Sequence, residues 1–178
     1  MTNIYWPVYK NIESELVKLT YDIHIDDNQI NVYSSKISEL ILRSATEIES
    51  ITKELYNRNG GPKKTNLLFD KDCLKHLNQL WKLEDKLVII SSASCFQSEK
   101  IIKPFIKKEQ NYRDKLTYGW NNAYQHLKHN RYQSLHFGSL KYLFDILAAL
   151  FILNLYFKEE IYEITQNSTV PENMGSEI

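Results

Sequence analysis

The chain has 178 residues, and its 22 Lys and Arg balance 22 Asp and Glu, so the formal net charge is zero. That length suits one domain, and a neutral chain has no global field to gather nucleic acid or a membrane surface. Two cysteines, Cys73 and Cys95, are too few for a disulfide framework. Together with an N-terminus that lacks a basic stretch followed by an apolar one, they make the cytoplasm the expected location.

Residues 8–19 read as a first helix, with Ile12, Leu16 and Leu19 at helical spacing. Residues 21–33 set Asp22, Asp26, Asp27 and Asn28 among β-branched residues, as a loop or weak hairpin does. Ser34 and Ser35 are caps for a second helix, with Ser35 and Glu39 close to capping-box spacing. Its seam is Ile37, Ile41, Ser44, Ile48, Ile51 and Leu55; it runs to about Asn57, and Asn59-Gly60-Gly61-Pro62 ends it. Residues 63–69 read as loop. Asp70 then caps a third helix whose apolar set is Leu74, Leu77, Trp81 and Leu83.

Leu87–Ser92 is β-branched and reads as a short strand or as the end of that helix. Residues 91–109 fit no single element, with a turn-like Ser91-Ser92-Ala93-Ser94 and an interrupting Pro104. A fourth helix is expected over about 111–132 and a fifth over about Ser139–Ile164. The polar residues 166–178 are expected to be a disordered tail, which leaves 1–165 as one helical domain.

The fifth helix carries Leu140, Leu143, Phe144, Ile146, Leu147, Leu150, Phe151, Leu153 and Leu155 on almost every side. A helix apolar all round is buried all round. It is either the centre of a bundle or partly covered by a second subunit, and a bundle that forms a homodimer is expected. The apolar run 142–157 is interrupted by Asp145 and Asn154 and falls short of the roughly 20 residues that span a bilayer, so a core helix and no membrane contact are expected. The fold class is therefore all-α: an up-and-down bundle of about five helices with a short irregular or β insertion near 84–105.

Between Glu99 and Arg131 the charge is lopsided, eight Lys and Arg against three acids. This basic run either draws in a polyanion such as RNA or is a solvated helix face with snorkelling lysines. It leads into the densest group of polar side chains, Lys128, His129, Asn130, Arg131 and His136, immediately before the most apolar helix. At about 100° per residue, Leu116, Trp120, Ala123, Tyr124 and Leu127 share one arc of the fourth helix, and Arg131 falls on it. A guanidinium on a buried seam needs a carboxylate, such as Glu47 or Glu49, or a bound phosphate. Asn122, His126, His129 and Gln133 fall on another arc. His126 and His129 share a turn, but no carboxylate lies near in sequence to complete a metal site, so a solvated polar face is the reading and no metal or other cofactor is expected. His24 and His76 belong to no motif.

Arg131 and His136 form R-x4-H. That pairing suits metal-independent phosphodiester cleavage in RNA, an imidazole moving the proton and a guanidinium stabilising charge on phosphorus. On one continuous helix, residues five apart diverge by about 140°. The pair converges if the helix breaks, as Gly138-Ser139 suggests, or if two copies meet across a dimer axis.

The segment W-N-N-A-Y-Q-H-L-K-H-N-R, residues 120–131, followed by the A-A-L-F-I-L helix, resembles the HEPN superfamily of small helical bundles. It is closest to bacterial members with a Lys-His-Asn/Asp-Arg motif. R-S-A-T-E-I-E-S-I-T-K-E-L-Y, residues 43–56, looks like the second helix of that group. The resemblance implies a dimeric up-and-down bundle and a metal-independent endoribonuclease of toxin–antitoxin or anti-phage type, with an antitoxin or defence partner. Arg131 and His136 would be catalytic, with Lys128, His129 and Asn130 positioning the phosphate. Family motifs commonly carry Asn, Asp or His after the Arg, where this chain has Tyr132. Some members only bind nucleotide, nucleic acid or protein, and that is the alternative function.

Overall fold

A computed structural model of the chain describes residues 4–91, 94–111, 113–158 and Ser176. Five α-helices carry the fold: α1 (Tyr5–Leu19), α2 (Ser35–Arg58), α3 (Leu74–Trp81), α4 (Gly119–His129) and α5 (Leu140–Phe157). Between α3 and α4 lie four short strands, β1 (Val88–Ile90), β2 (Lys100–Ile102), β3 (Lys107–Gln110) and β4 (Leu116–Tyr118). The molecule is thus mostly helical, with a small strand insertion.

α2 follows its sequence pattern closely. Ile37, Ile41, Ser44, Ile48, Ile51 and Leu55 are all buried. The Ser44 hydroxyl is satisfied within the helix, donating to the Leu40 carbonyl at 2.8 Å. Ser34 is the cap, its Oγ accepting from the Ile37 N–H at 3.1 Å. That choice leaves Glu39 too far along for a capping box with Ser35, and both side chains face solvent. Asn59 closes the helix, and Gly60 follows at φ +73°, where an L side chain is strained.

α5 is the centre of the bundle: α1, α2 and α4 all pack on it. Residues on every side of it are buried, from Leu140 and Leu143 to Leu153 and Leu155. Each large apolar side chain removed from water in this way contributes about 1.5–3 kcal/mol before entropy is set against it. The cover is supplied by the chain's own helices, so the all-round apolar character of α5 requires no second subunit. α5 is also the one helix among the described residues long and apolar enough to cross a membrane, and 78% of it is buried inside the protein. At its far end Tyr5 meets Phe157 edge-on at 4.9 Å, and Trp81 stacks on Tyr156 at 4.2 Å.

Several boundaries differ from the sequence reading. α1 starts at Tyr5, earlier than residue 8, because Tyr5 and Tyr9 extend its buried face. Residues 21–33 form no hairpin. They run as a loop whose contacts are distant, Ile25 bridging Cys95 and Tyr33 bridging Ser139. α3 is entered through a π turn, Phe69–Cys73. Asp70 does not cap it. Asp72 anchors the entry instead, with Oδ2 accepting from the Leu68 N–H at 2.8 Å and Oδ1 taking Lys64 at 2.7 Å.

The strand insertion is longer than expected, reaching Tyr118 rather than residue 105. β1 pairs with β2 and β3 with β4, each antiparallel, as two separate ribbons. Lys107 faces Tyr118 and Gln110 faces Leu116, with an irregularity between Lys107 and Glu109. β4 replaces the first part of the anticipated fourth helix, so Leu116 is 61% exposed and is not on the helix's buried arc. At the other end, α5 runs to Phe157, and its anticipated extension to Ile164 lies outside the described residues. So does the tail 166–178 apart from Ser176, whose hydroxyl meets the Tyr9 hydroxyl and the Glu13 carboxylate.

Candidate functional site

α4 holds Trp120, Ala123, Tyr124 and Leu127 on its buried face, as their spacing predicts. Trp120 anchors it, fully buried, stacked on Tyr118 at 5.4 Å and donating from Nε1 to the Pro104 carbonyl at 2.9 Å. The helix then stops at His129. Asn130 takes φ −148° and ψ 48°, and the chain makes two short 3-10 turns, Arg131–Gln133 and Leu135–Phe137, before α5.

This junction docks on the start of α2. Ser34 N–H donates to the Gly138 carbonyl at 3.1 Å, while Leu140 and Lys141 N–H donate to the carbonyls of Val32 and Ile30 at 3.0 and 2.8 Å. The last two bonds fill orphan donors at the α5 N-terminus, so that end is closed by protein carbonyls and is not an open anion cradle. Gly138 is required here, since a Cβ would overlap Ser38 Oγ.

The break at Asn130 moves Arg131 off the α4 seam. It is exposed, and its Nη2 reaches the Ser35 carbonyl at 3.5 Å. The expected buried guanidinium is therefore absent. No ion pair joins Arg131 to Glu47 or Glu49 among the described residues; Glu49 pairs with Lys53 at 2.7 Å. His136, Lys128, His129 and Asn130 are exposed as well. Lys128 donates to the Tyr124 hydroxyl at 3.1 Å, and Asn130 donates to Gln133 at 2.9 Å. Tyr132, which follows the Arg, is 91% exposed. The five predicted residues thus share one surface junction, and no contact joins Arg131 to His136 among the described residues.

His136 has a different neighbour. Its ring lies 4.5 Å from that of Phe137, and His126 stacks on Phe137 at 4.1 Å with an interplanar angle of 7°. Burial first, and then the charge of His136, hold the His126 imidazole below its ordinary value. Ser134 Oγ lies 3.4 Å from His126 Nδ1. The helical wheel groups His126 with His129; His129 ends α4 exposed to solvent, and the break that follows brings His136 near His126 through Phe137. Among the described residues no group of three or more His, Cys, Asp or Glu is arranged to hold a metal ion.

The basic run Glu99–Arg131 is partly consumed within the fold. Lys100 pairs with Asp27, Lys107 lies over the Tyr118 ring at 5.3 Å, and Lys108 lies 3.8 Å from Asp145. That last contact belongs to a polar cluster the sequence reading missed. Asp145, 5% exposed in the middle of α5, accepts from the Trp120 N–H at 3.1 Å through Oδ2. It caps α4, which has no side-chain cap of its own. Glu109 sits beside it, taking Lys141 at 3.0 Å, Tyr142 OH at 3.2 Å and Asn122 Nδ2 at 3.3 Å. Both carboxylates close on Gly119, where a Cβ would stand 3.0 Å from Asp145 Oδ2 and 3.3 Å from Glu109 Oε1.

The two acids are driven apart in affinity for protons. Burial, only partly offset by Lys108, pushes Asp145 up to about 6. Glu109 is also desolvated, but the hydrogen bonds from Lys141 and Asn122 outweigh that, and its carboxyl lies below the usual range. Divergent carboxylates are a mark of acid–base sites. Here the groups around them are protein donors, and the cluster fastens the β3–β4 ribbon to α4 and α5. The sequence signal was a lone acid in a helix otherwise apolar on all sides. Comparison of the chain with family models, with curated proteins and with solved structures found no match.

Proposed function

We propose that the chain is a HEPN-like, metal-independent endoribonuclease that works at the α4–α5 junction, in a bacterial growth-arrest or anti-phage setting. The observation that carries this is the double break at Asn130 and Ser134. It frees Arg131 and His136 from the divergence of a straight helix and sets both in solvent beside Lys128 and His129. Arg131 would stabilise the negative charge that builds on phosphorus, His136 would move a proton, and Lys128, His129 and Asn130 would hold the phosphate. A homodimer would set a second copy of the motif opposite the first, the arrangement that gives Arg131 of one protomer access to the His136 of another.

The test is incubation of the purified protein with mixed RNA in EDTA, beside Arg131→Ala and His136→Ala. Cleavage by the parent protein that both substitutions abolish is the expected result, and cleavage that survives both rules out this site. A non-catalytic RNA-binding bundle is the second reading. It is favoured by the 3.5 Å approach of Arg131 to the Ser35 carbonyl, which engages the guanidinium with the start of α2. RNA binding without cleavage in the parent protein would select it.

A further inference from the structure

Cleavage of RNA through its own 2′-hydroxyl needs two proton transfers. A base removes the 2′ proton as O2′ forms its bond to phosphorus, and an acid gives a proton to the 5′-oxygen as the P–O5′ bond breaks. The products are a 2′,3′-cyclic phosphate and a free 5′-hydroxyl. One imidazole cannot be neutral and protonated in the same step. Within one protomer the R-x4-H motif supplies a single histidine.

Resting on the nuclease reading above, we propose that His126 is the second acid–base group of that site, serving as the base while His136 serves as the acid. Both imidazoles contact one ring: His126 lies 4.1 Å from Phe137 and His136 lies 4.5 Å from it. Those two spacings bound the distance between the imidazole centroids and keep both histidines within the reach of one substrate phosphate and its neighbouring oxygens. Phe137 is held in turn by Tyr142, 5.5 Å away. Ser134 Oγ at 3.4 Å from Nδ1 fixes the other edge of the His126 ring and leaves Nε2 for substrate.

The electrostatics agree with the assignment. Burial and the charge of His136 both favour the neutral form of His126, the form a base needs. From the elements packed on α4, His136 is the titratable group that acts on it. One turn back, at Asn122, Glu109 of β3 and Lys141 of α5 are paired with each other. Lys128 and His129, on its own helix, are exposed. Local spacing does not select His126 for this role, because its partner lies beyond two turns of chain that a helical wheel does not represent.

The experiment uses full-length protein, His126→Asn and His136→Ala, with two substrates: an oligoribonucleotide, and the same oligonucleotide with a bridging 5′-sulfur at the cleaved bond. Thermal melting confirms folding, and Asn at 126 keeps an acceptor for Ser134. Both variants are expected to lose at least about 100-fold on the oxygen substrate. A thiolate leaves without a proton, so His136→Ala recovers on the sulfur substrate and His126→Asn does not. The acidic limb of the pH–rate profile disappears in His126→Asn. Wild-type cleavage with an unchanged rate and profile in His126→Asn overturns the inference and leaves the nuclease reading intact. Rescue of His126→Asn by sulfur overturns the assignment of base. A wild-type protein that cleaves neither substrate sinks both.

Discussion

Two polar clusters flank α4, and they treat charge in opposite ways. At its N-terminal end, Asp145 and Glu109 are shut in around Gly119, and Trp120 N–H, Lys141, Tyr142 and Asn122 donate to them. At its C-terminal end, Lys128, His129, Arg131 and His136 stand in solvent, with Arg131 held by one long bond to a carbonyl. The first cluster has the perturbed carboxylates that usually mark a site, yet most of its groups fasten the ribbon to the bundle, with Asp145 Oδ1 and Asn122 Oδ1 buried without a hydrogen bond. The second offers exposed donors and imidazoles with hydrogen-bonding capacity to spare. A shifted pKa marks burial and close partners, and those alone do not distinguish a structural cluster from an active site.

The sharpest way to break this contrast is Arg131→Ala. RNA cleavage should fall by about 10²–10³, the cost of losing one charge-stabilising donor, while the melting temperature stays unchanged. A large loss of stability would make the exposed cluster structural after all.

Asp145→Asn should act only on stability. Asp145 is raised from 3.8 to about 6 in the folded protein. As pH climbs through that window the unfolded chain releases its proton first, so the wild type loses stability relative to the variant. Above about pH 6 the variant should be more stable by roughly 3 kcal/mol, and below about pH 4 the gap should close. Denaturant melts of both proteins at pH 4 and pH 7 measure the difference, and equal gaps at the two pH values would contradict a raised affinity of buried Asp145 for its proton.

Gly119→Ala tests the same cluster by crowding. The new methyl meets Asp145 Oδ2 and Glu109 Oε1 at 3.0 and 3.3 Å; Asp145 is buried and Glu109 half-buried, so neither carboxylate moves freely. A loss of about 1–3 kcal/mol in a denaturant melt is expected, without a change in RNA affinity. Tyr132→Ala is the mildest change. With Tyr132 at 91% exposed, stability should not move, but RNA affinity should fall about tenfold if a base stacks on the ring. Fluorescence anisotropy with single-stranded RNA reads this out.

The elements that could be read from the chain are those whose local pattern repeats. α2 has six seam residues in register, a serine cap and a Gly-Gly-Pro end, so both its face and its limits were legible. α5 was legible as a core helix for the same reason, and Asp145 stood out within it. α4 was misread at both ends. Leu116-Thr117-Tyr118 satisfies helical spacing as well as strand pairing, and only the presence of β3 decides between them. Past His129 the wheel placed Arg131 on the core, because a wheel assumes that the backbone continues.

By itself, then, the order of amino acids determined the helical class, the core stripes and the local density of basic and imidazole groups before α5. Those are properties of neighbours along the chain, set by spacing and side-chain type. The tertiary structure decided where α4 breaks, which histidine faces His126 and which acid caps Trp120. Each of those depends on a backbone donor or acceptor satisfied from a distant element: Gly138 by Ser34, α5 by the loop at Ile30 and Val32, and α4 by Asp145.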